Sequence, residues 1–183
     1  VVLQQSLREY TDSQFSDLIK KVESAKAIVR SQTFYEIDKL EWAVRIFHET
    51  TAAISLVYNP ARISMPPVET DLTYKPFISS EILNAVQDTQ VNVYRDVFDH
   101  ILKPAIEAEK PDVIGISIVL RQQLFSSMTF CSMIKELYPD IHVTIGGNTV
   151  TRLRDVLPQT PNLFALFDSA VMFEGETALC RLV

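Results

Sequence analysis

Apolar positions in the C-terminal half of the chain follow two different periods. Val113 to Leu120 is an almost unbroken apolar run rich in Val and Ile, which fits a strand buried on both faces of a parallel sheet. From about Leu124 to Leu137 the apolar residues recur every three or four positions, with Met128, Cys131, Ile134 and Leu137 on one face, as on an amphipathic helix. Pro139-Asp140 breaks that helix, His142 to Ile145 reads as the next strand, and Gly146-Gly147 follows at its carboxyl end. The pattern predicts a βαβ unit with a right-handed crossover. Beyond it we expect a helix over about Thr149 to Leu157, a connector bracketed by Pro158 and Pro161, and a short apolar turn from Leu163 to Phe167. A third strand over Asp168 to Phe173 and a helix starting near Thr177 complete the series.

The N-terminal part carries mainly the helical period. Val1 to about Gln5 reads as an edge strand. Thr11, Asp12 and Ser13 offer a helix cap, with Gln14 three residues after Thr11 as in a capping box. The helix that follows places Phe15, Leu18, Ile19, Val22 and Val29 on one stripe. A second runs from about Phe34 to Leu56, with Ile37, Leu40, Val44, Phe47 and Ile54 inward, and Asn59-Pro60 stops it. Residues 60 to 79, with Pro60, Pro66, Pro67 and Pro76, read as a long loop suited to docking. Ser79 and Ser80 cap a short helix to about Asp88, and Asn92 caps another that Pro104 kinks. The expected organisation is a mostly helical lead-in or cap over residues 1–110 and a βαβαβ core over 111–183, hence an α/β fold with a parallel sheet. The opening on Val1-Val2-Leu3 and the close on ALCRLV suggest a fragment of a longer protein.

Composition narrows the function classes. The 183 residues are 47% hydrophobic, enough to fill a core, and the formal charge of −6 with no basic stripe argues against nucleic acid as the main partner. Cys131 and Cys180 form no Cys-x-x-Cys pair, so neither a disulfide framework nor a metal site is implied, and a reduced cytoplasmic setting is expected. No apolar run reaches the roughly 20 residues of a membrane span, and the N-terminus lacks the features of a signal peptide.

Ligands of open parallel sheets bind outside the carboxyl ends of the strands. Three stretches meet that condition here: Ser117 to Gln123, Gly146 to Thr149, and Phe173 to Glu176. Ser117 offers a hydroxyl, and Arg121, Gln122 and Gln123 are long polar groups directly after an apolar strand. Gly146-Gly147 lets a ligand approach the backbone because no Cβ intervenes. Asn148 and Thr149 open a helix, whose N-terminus favours polar or anionic groups. A Walker loop, a G-x-G-x-x-G turn and a G-x-S-x-G elbow are all absent. Glu174 and Glu176 favour the start of the final helix rather than acid–base work.

The series PDVIGIS, then Gln123, then VTIGGN, then DSAVMFEGE resembles the cobalamin-binding, Rossmann-like domain at the N-terminus of many radical S-adenosylmethionine enzymes. YNPARI and NVYRDVFDHILKPAI are similar to the helical lead-in of a subset found near peptide natural-product maturation genes. The resemblance spans about residues 34 to 183. It implies a flavodoxin-like sheet whose carboxyl edge grips the lower face and nucleotide tail of cobalamin. Ser117, Arg121, Gln123, Gly146, Gly147, Asn148, Thr149, Gly175 and Glu176 are the expected cofactor-binding residues, with no catalytic residue in this part. It also implies a downstream barrel with a three-cysteine motif for a 4Fe-4S cluster and S-adenosylmethionine, which the two cysteines here cannot supply, and a peptide as a further partner. The whole enzyme would then carry out methyl transfer or peptide modification. Three departures qualify the match. The Asp-x-His-x-x-Gly motif has no counterpart, so cobalamin would bind without a protein His on cobalt; Phe173 stands where the family has the first Gly of GEGE; and Ser117-Ile118-Val119 replaces Ser-x-Leu. The rival expectation is a scaffold that keeps the fold, positions a peptide substrate or the barrel through the loop 60 to 79, and leaves the crevice empty of cobalamin; a plug of Phe173 and its neighbours would mark it.

Overall fold

The computed structural model describes residues 12–65 and 69–182, so the expected strand over Val1 to Gln5, the cap at Thr11 and the pair Pro66-Pro67 lie outside the described residues. The chain divides into two compact units between Thr73 and Tyr74.

The first unit is a helical hairpin with a small β-ribbon. Helix α1 (Asp12–Val29) packs on α2 (Ile37–Val57) through Leu18, Ala25, Ala43, Ile46 and Ala53. The seam is richer in small residues than the expected stripe. Ile19 and Ile37, expected inside, are exposed, because Ala25, Ala43 and Ala53 draw the helices together along a neighbouring face. The helix expected from Phe34 begins at Ile37, after a separate 3₁₀ turn over Gln32–Tyr35 capped by Ser31. The stretch expected as one long loop is in part an antiparallel ribbon of β1 (Arg62–Ser64) and β2 (Glu69–Asp71). Ser55 of α2 anchors it: its hydroxyl accepts from the Ile63 N–H at 2.8 Å and donates to the Thr51 carbonyl at 2.7 Å.

The second unit is the α/β part. Helix α3 (Ser79–Gln87) begins without a serine cap; the Ser79 hydroxyl instead accepts from Asn162 Nδ2 at 3.2 Å. Next come α4 (Tyr94–Val97), a wide π turn (Phe98–Leu102) and α5 (Lys103–Glu109). Pro104 lacks an N–H and crowds the preceding turn, and the chain answers with the widened turn. Asn92 is buried and does more than cap. Its amide donates to the Ala85 carbonyl at 2.8 Å and the Thr129 hydroxyl at 2.9 Å, and its carbonyl accepts from Tyr94 N at 3.1 Å, which ties α3 and α4 to α6 (Leu124–Leu137).

Strands β3 (Val113–Ser117), β4 (His142–Gly146) and β5 (Ser169–Ala170) form a parallel sheet in the order β3-β4-β5, the expected α/β architecture. Ser117 pairs with Gly146 and Gly115 with Thr144. The strand buried on both faces is β4, not β3: β4 has a neighbour on each side, whereas Gly115 and Ser117 on β3 are exposed. Leu137, expected inward on α6, is also exposed. Strand β5 is shorter than expected, although backbone bonds from Asp168 N to Val143 O and from Val171 N to Ile145 O extend its ladder by one residue at each end. Phe173 lies beyond it at a positive φ of 62°. The helix expected to Leu157 is only α7 (Asn148–Arg152), because the Leu153 N–H is shared by two carbonyls that tighten the turn, and 3₁₀ turns containing Pro158 and Pro161 follow. Helix α8 (Glu176–Leu182) closes the unit.

At the amino edge of the sheet, Asp168 accepts from Val143 N at 2.7 Å and from Lys135 Nζ at 2.9 Å. Burial pushes its carboxyl upward, but the Val143 N–H and the Lys135 ammonium outweigh that and hold it below the usual 3.8. A depressed carboxyl contributes stability that is present above the ordinary value and lost as pH falls through the lowered one. Asp168→Ala should therefore cost about 2 kcal/mol at neutral pH, and urea melts from pH 7 to pH 3 should show the gap to the parent chain closing with acid.

Candidate functional site

The three carboxyl-edge loops are stitched into one platform. Ile118 N donates to the Gly146 carbonyl at 2.7 Å, Thr149 N to the Ile118 carbonyl at 3.0 Å, and the Thr149 hydroxyl to the Val119 carbonyl at 3.0 Å. Gly147 lies directly beneath this crossing at φ 95° and ψ 178°, a region almost confined to glycine. A Cβ there would stand 2.8 Å from the Ile118 carbonyl oxygen. Gln123 folds the next turn, because its Oε1 accepts from Val119 N at 2.8 Å and Leu120 N at 2.9 Å. That leaves Val119 and Leu120 exposed at the crest.

The expected site residues fall on two sides of the platform. Ser117, Gly146, Gly147 and Gly175 border a cleft of about 310 Å³ on one side, together with Gly115 and Thr144. Arg121, Asn148 and Thr149 border a second cleft of about 580 Å³ on the other, with Arg152. Gln123 holds the loop between them, and the Thr149 hydroxyl is engaged by the Val119 carbonyl. Glu176 is exposed at the first residue of α8 and borders neither cleft. Helix α7 has five residues, too few to present the anion-favouring N-terminus expected at Asn148 and Thr149.

Gly115 and Thr144 were not singled out in the sequence. They face each other across β3 and β4, with 3.6 Å between the Thr144 methyl carbon and the position a Gly115 Cβ would take. Thr144 is 2% exposed, and its hydroxyl has no partner among the described residues. Such a group calls for a polar partner such as a buried water, and Thr144 also borders the cleft. The sequence signals were present: a glycine inside a strand marks close approach, and a threonine stands between Val143 and Ile145 of β4.

Phe173 does not plug this cleft. It is 65% exposed at the rim, its N–H donates to the Thr151 hydroxyl at 2.9 Å, and the Arg154 guanidinium lies 5.9 Å from the ring centre.

The histidines lie elsewhere. His48 is exposed on α2 and His100 bonds the Asp96 carbonyl. His142 bonds Ser169 at the amino edge, the opposite end of β4 from Gly146. No group of three or more metal-ligating side chains occurs among the described residues. Cys131 is a core residue whose thiol burial pushes up to about 12, so it stays protonated. No helix among the described residues is long and apolar enough to cross a membrane.

With this geometry in place, comparison with known families is decisive. A family model for the B12 binding domain matches residues 80–183, more than half of the chain. The chain belongs to the B12-binding domain family. No curated protein and no solved structure shows significant similarity to it.

In this B12-binding domain the cleft offers wall positions without side chains at Gly115, Gly146 and Gly175, an apolar wall at Ile116, Val171 and Leu179 for a flat ring, and an unsatisfied hydroxyl at Thr144. The residues present fit the group. Phe173 is the strained position on its rim, because a bulky residue at positive φ costs about 1–2 kcal/mol. Phe173→Gly should raise stability by about 0.5–1 kcal/mol after the entropy cost of glycine is subtracted. It should leave ligand retention intact. Paired urea melts check this, and a loss of stability would contradict it.

Proposed function

We propose that this domain holds cobalamin by its nucleotide tail and lower face, as the cofactor-binding module of a radical S-adenosylmethionine enzyme. The observation that carries the reading is the open cleft at the carboxyl edge with the buried, unpartnered Thr144 hydroxyl in its wall. Ser117, Gly146, Gly147 and Gly175 would border the tail there, joined by Gly115 and Thr144. Arg121, Asn148 and Thr149 would lie toward the second cleft, and Gln123 would keep the β3 loop in the shape the ligand meets. Glu176 enters the proposal only as a carboxylate at the start of α8. When bound, cobalamin supplies a cobalt centre that can carry an alkyl group; this chain's residues bind it, orient it and cover one side from water.

We further propose that no histidine of this chain ligates cobalt. The electron paramagnetic resonance spectrum of the chain loaded with cob(II)alamin tests this. The reading expects no nitrogen splitting from a protein imidazole, and such splitting that disappears in a His142→Ala or His100→Ala variant would contradict it. The parentage is a separate proposal, supported by the sequence resemblance alone: the parent would carry an iron–sulfur cluster and S-adenosylmethionine in a barrel, act in a cytoplasmic setting and modify a peptide. Reading the gene beyond the codon for Val183 tests it, with a three-cysteine motif and barrel expected and an unrelated domain contradicting it. An open cleft supports the ligand reading over the scaffold reading, whose mark would be a plug of Phe173 and its neighbours; the Phe173 ring is exposed.

A further inference from the structure

On the face of the sheet opposite Thr144, the second unit carries an apolar pocket that opens at Phe77 and Val156. A cavity of about 260 Å³ is walled by Ile82, Met128, Ile145, Val150, Leu163 and Phe167, among other apolar side chains. All six are buried. Protein interiors carry few voids larger than a water molecule, and a dry apolar cavity of about 150 Å³ is already enough to hold benzene. The two hydroxyls at its wall are engaged: Thr160 donates to the Leu157 carbonyl at 2.8 Å, and Ser79 accepts from Asn162 at 3.2 Å. The space therefore suits a hydrocarbon tail and not a chain of waters.

Its mouth indicates what the tail is attached to. Phe77 and Leu153 belong to the wall of this cavity and also to the wall of the cleft that contains Arg121 and Arg152. Neither guanidinium has an ion pair or hydrogen bond among the described residues. Two unneutralised arginines at the entrance to an apolar cavity, in a chain of net charge −6, match an anionic head on an apolar tail.

We propose that this cavity and its mouth form a binding site for a medium-chain carboxylate, with the alkyl chain among Ile82, Met128 and Phe167 and the carboxylate at Arg152, with Arg121 across the cleft. The cavity lies on the other face of the sheet from the cleft of Gly115 and Thr144, while its mouth shares Arg121 with the residues proposed to border cobalamin. Isothermal titration of the full chain, free of cobalamin, with octanoate and separately with octanol tests it. Both should bind with one-to-one saturation, octanoate more tightly. Arg152→Glu should weaken octanoate about tenfold, the loss of one charge-assisted contact, and leave octanol unchanged. Leu153→Trp, at the half-buried mouth, should remove both. Absence of saturable octanoate binding would overturn the proposal, as would an Arg152→Glu chain that binds octanoate as the parent does. If Leu153→Trp fails to fold, the octanoate-to-octanol comparison in Arg152→Glu still decides.

Discussion

Gly147→Val should destabilise the second unit by about 3–5 kcal/mol and abolish cobalamin retention. Two costs add. The backbone at φ 95° and ψ 178° lies where a β-branched residue is strained by about 1–3 kcal/mol. The new Cβ would also stand 2.8 Å from the Ile118 carbonyl oxygen and 3.0 Å from its carbon and nitrogen. Those atoms are backbone and cannot swing aside, so the β3 loop must lift. Lifting it breaks the bonds from Ile118 N to Gly146 O and from Thr149 N to Ile118 O that join the two sides of the platform. A single domain has only about 5–15 kcal/mol of stability to lose, so the melting temperature should fall by roughly 15 °C or more. Circular dichroism melts check it; a fall of only a few degrees would mean that the loop is free to move.

Gly115→Ile should do the reverse, sparing the fold and removing the ligand. Gly115 lies on an exposed strand face, and its nearest neighbour to an added Cβ is the Thr144 methyl carbon at 3.6 Å, an ordinary contact. Isoleucine suits a strand better than glycine by up to about 1 kcal/mol, so stability should hold or rise. The new side chain, however, projects into the cleft of about 310 Å³ against the Thr144 methyl group. Cobalamin affinity should fall by about a hundredfold or more, since the space for the ligand is taken. Melts and equilibrium dialysis on the same preparation separate the two effects, and unchanged affinity would move the tail out of this cleft. Together the two variants distinguish a glycine needed by the fold from one needed by the ligand.

The apolar runs placed α6 and β4 nearly to the residue and β3 at its start, but β3 ends at Ser117, three residues before the apolar run does. An edge strand and a central strand can share one composition, so the exposure of β3 follows only from the sheet order. The ladder of β5 stops after Val171, and the positive φ at Phe173 beyond it is one that a phenylalanine gives no reason to expect. At the site, the glycine pair announced itself, while the roles of Gln123 and Thr149 did not. Both side chains close on their own platform, and a polar residue reads the same in sequence whether it faces a ligand or its own backbone. Gly115 and Thr144 meet only through the β3–β4 register, which no single stretch of sequence contains.

The most direct test of the central claim is a titration of the purified chain with hydroxocobalamin, followed by desalting and a visible spectrum. One cobalamin should be retained per chain, with a spectrum lacking a histidine ligand, and none by Gly115→Ile. A folded parent chain that emerges colourless, or a Gly115→Ile chain that stays coloured, would contradict it.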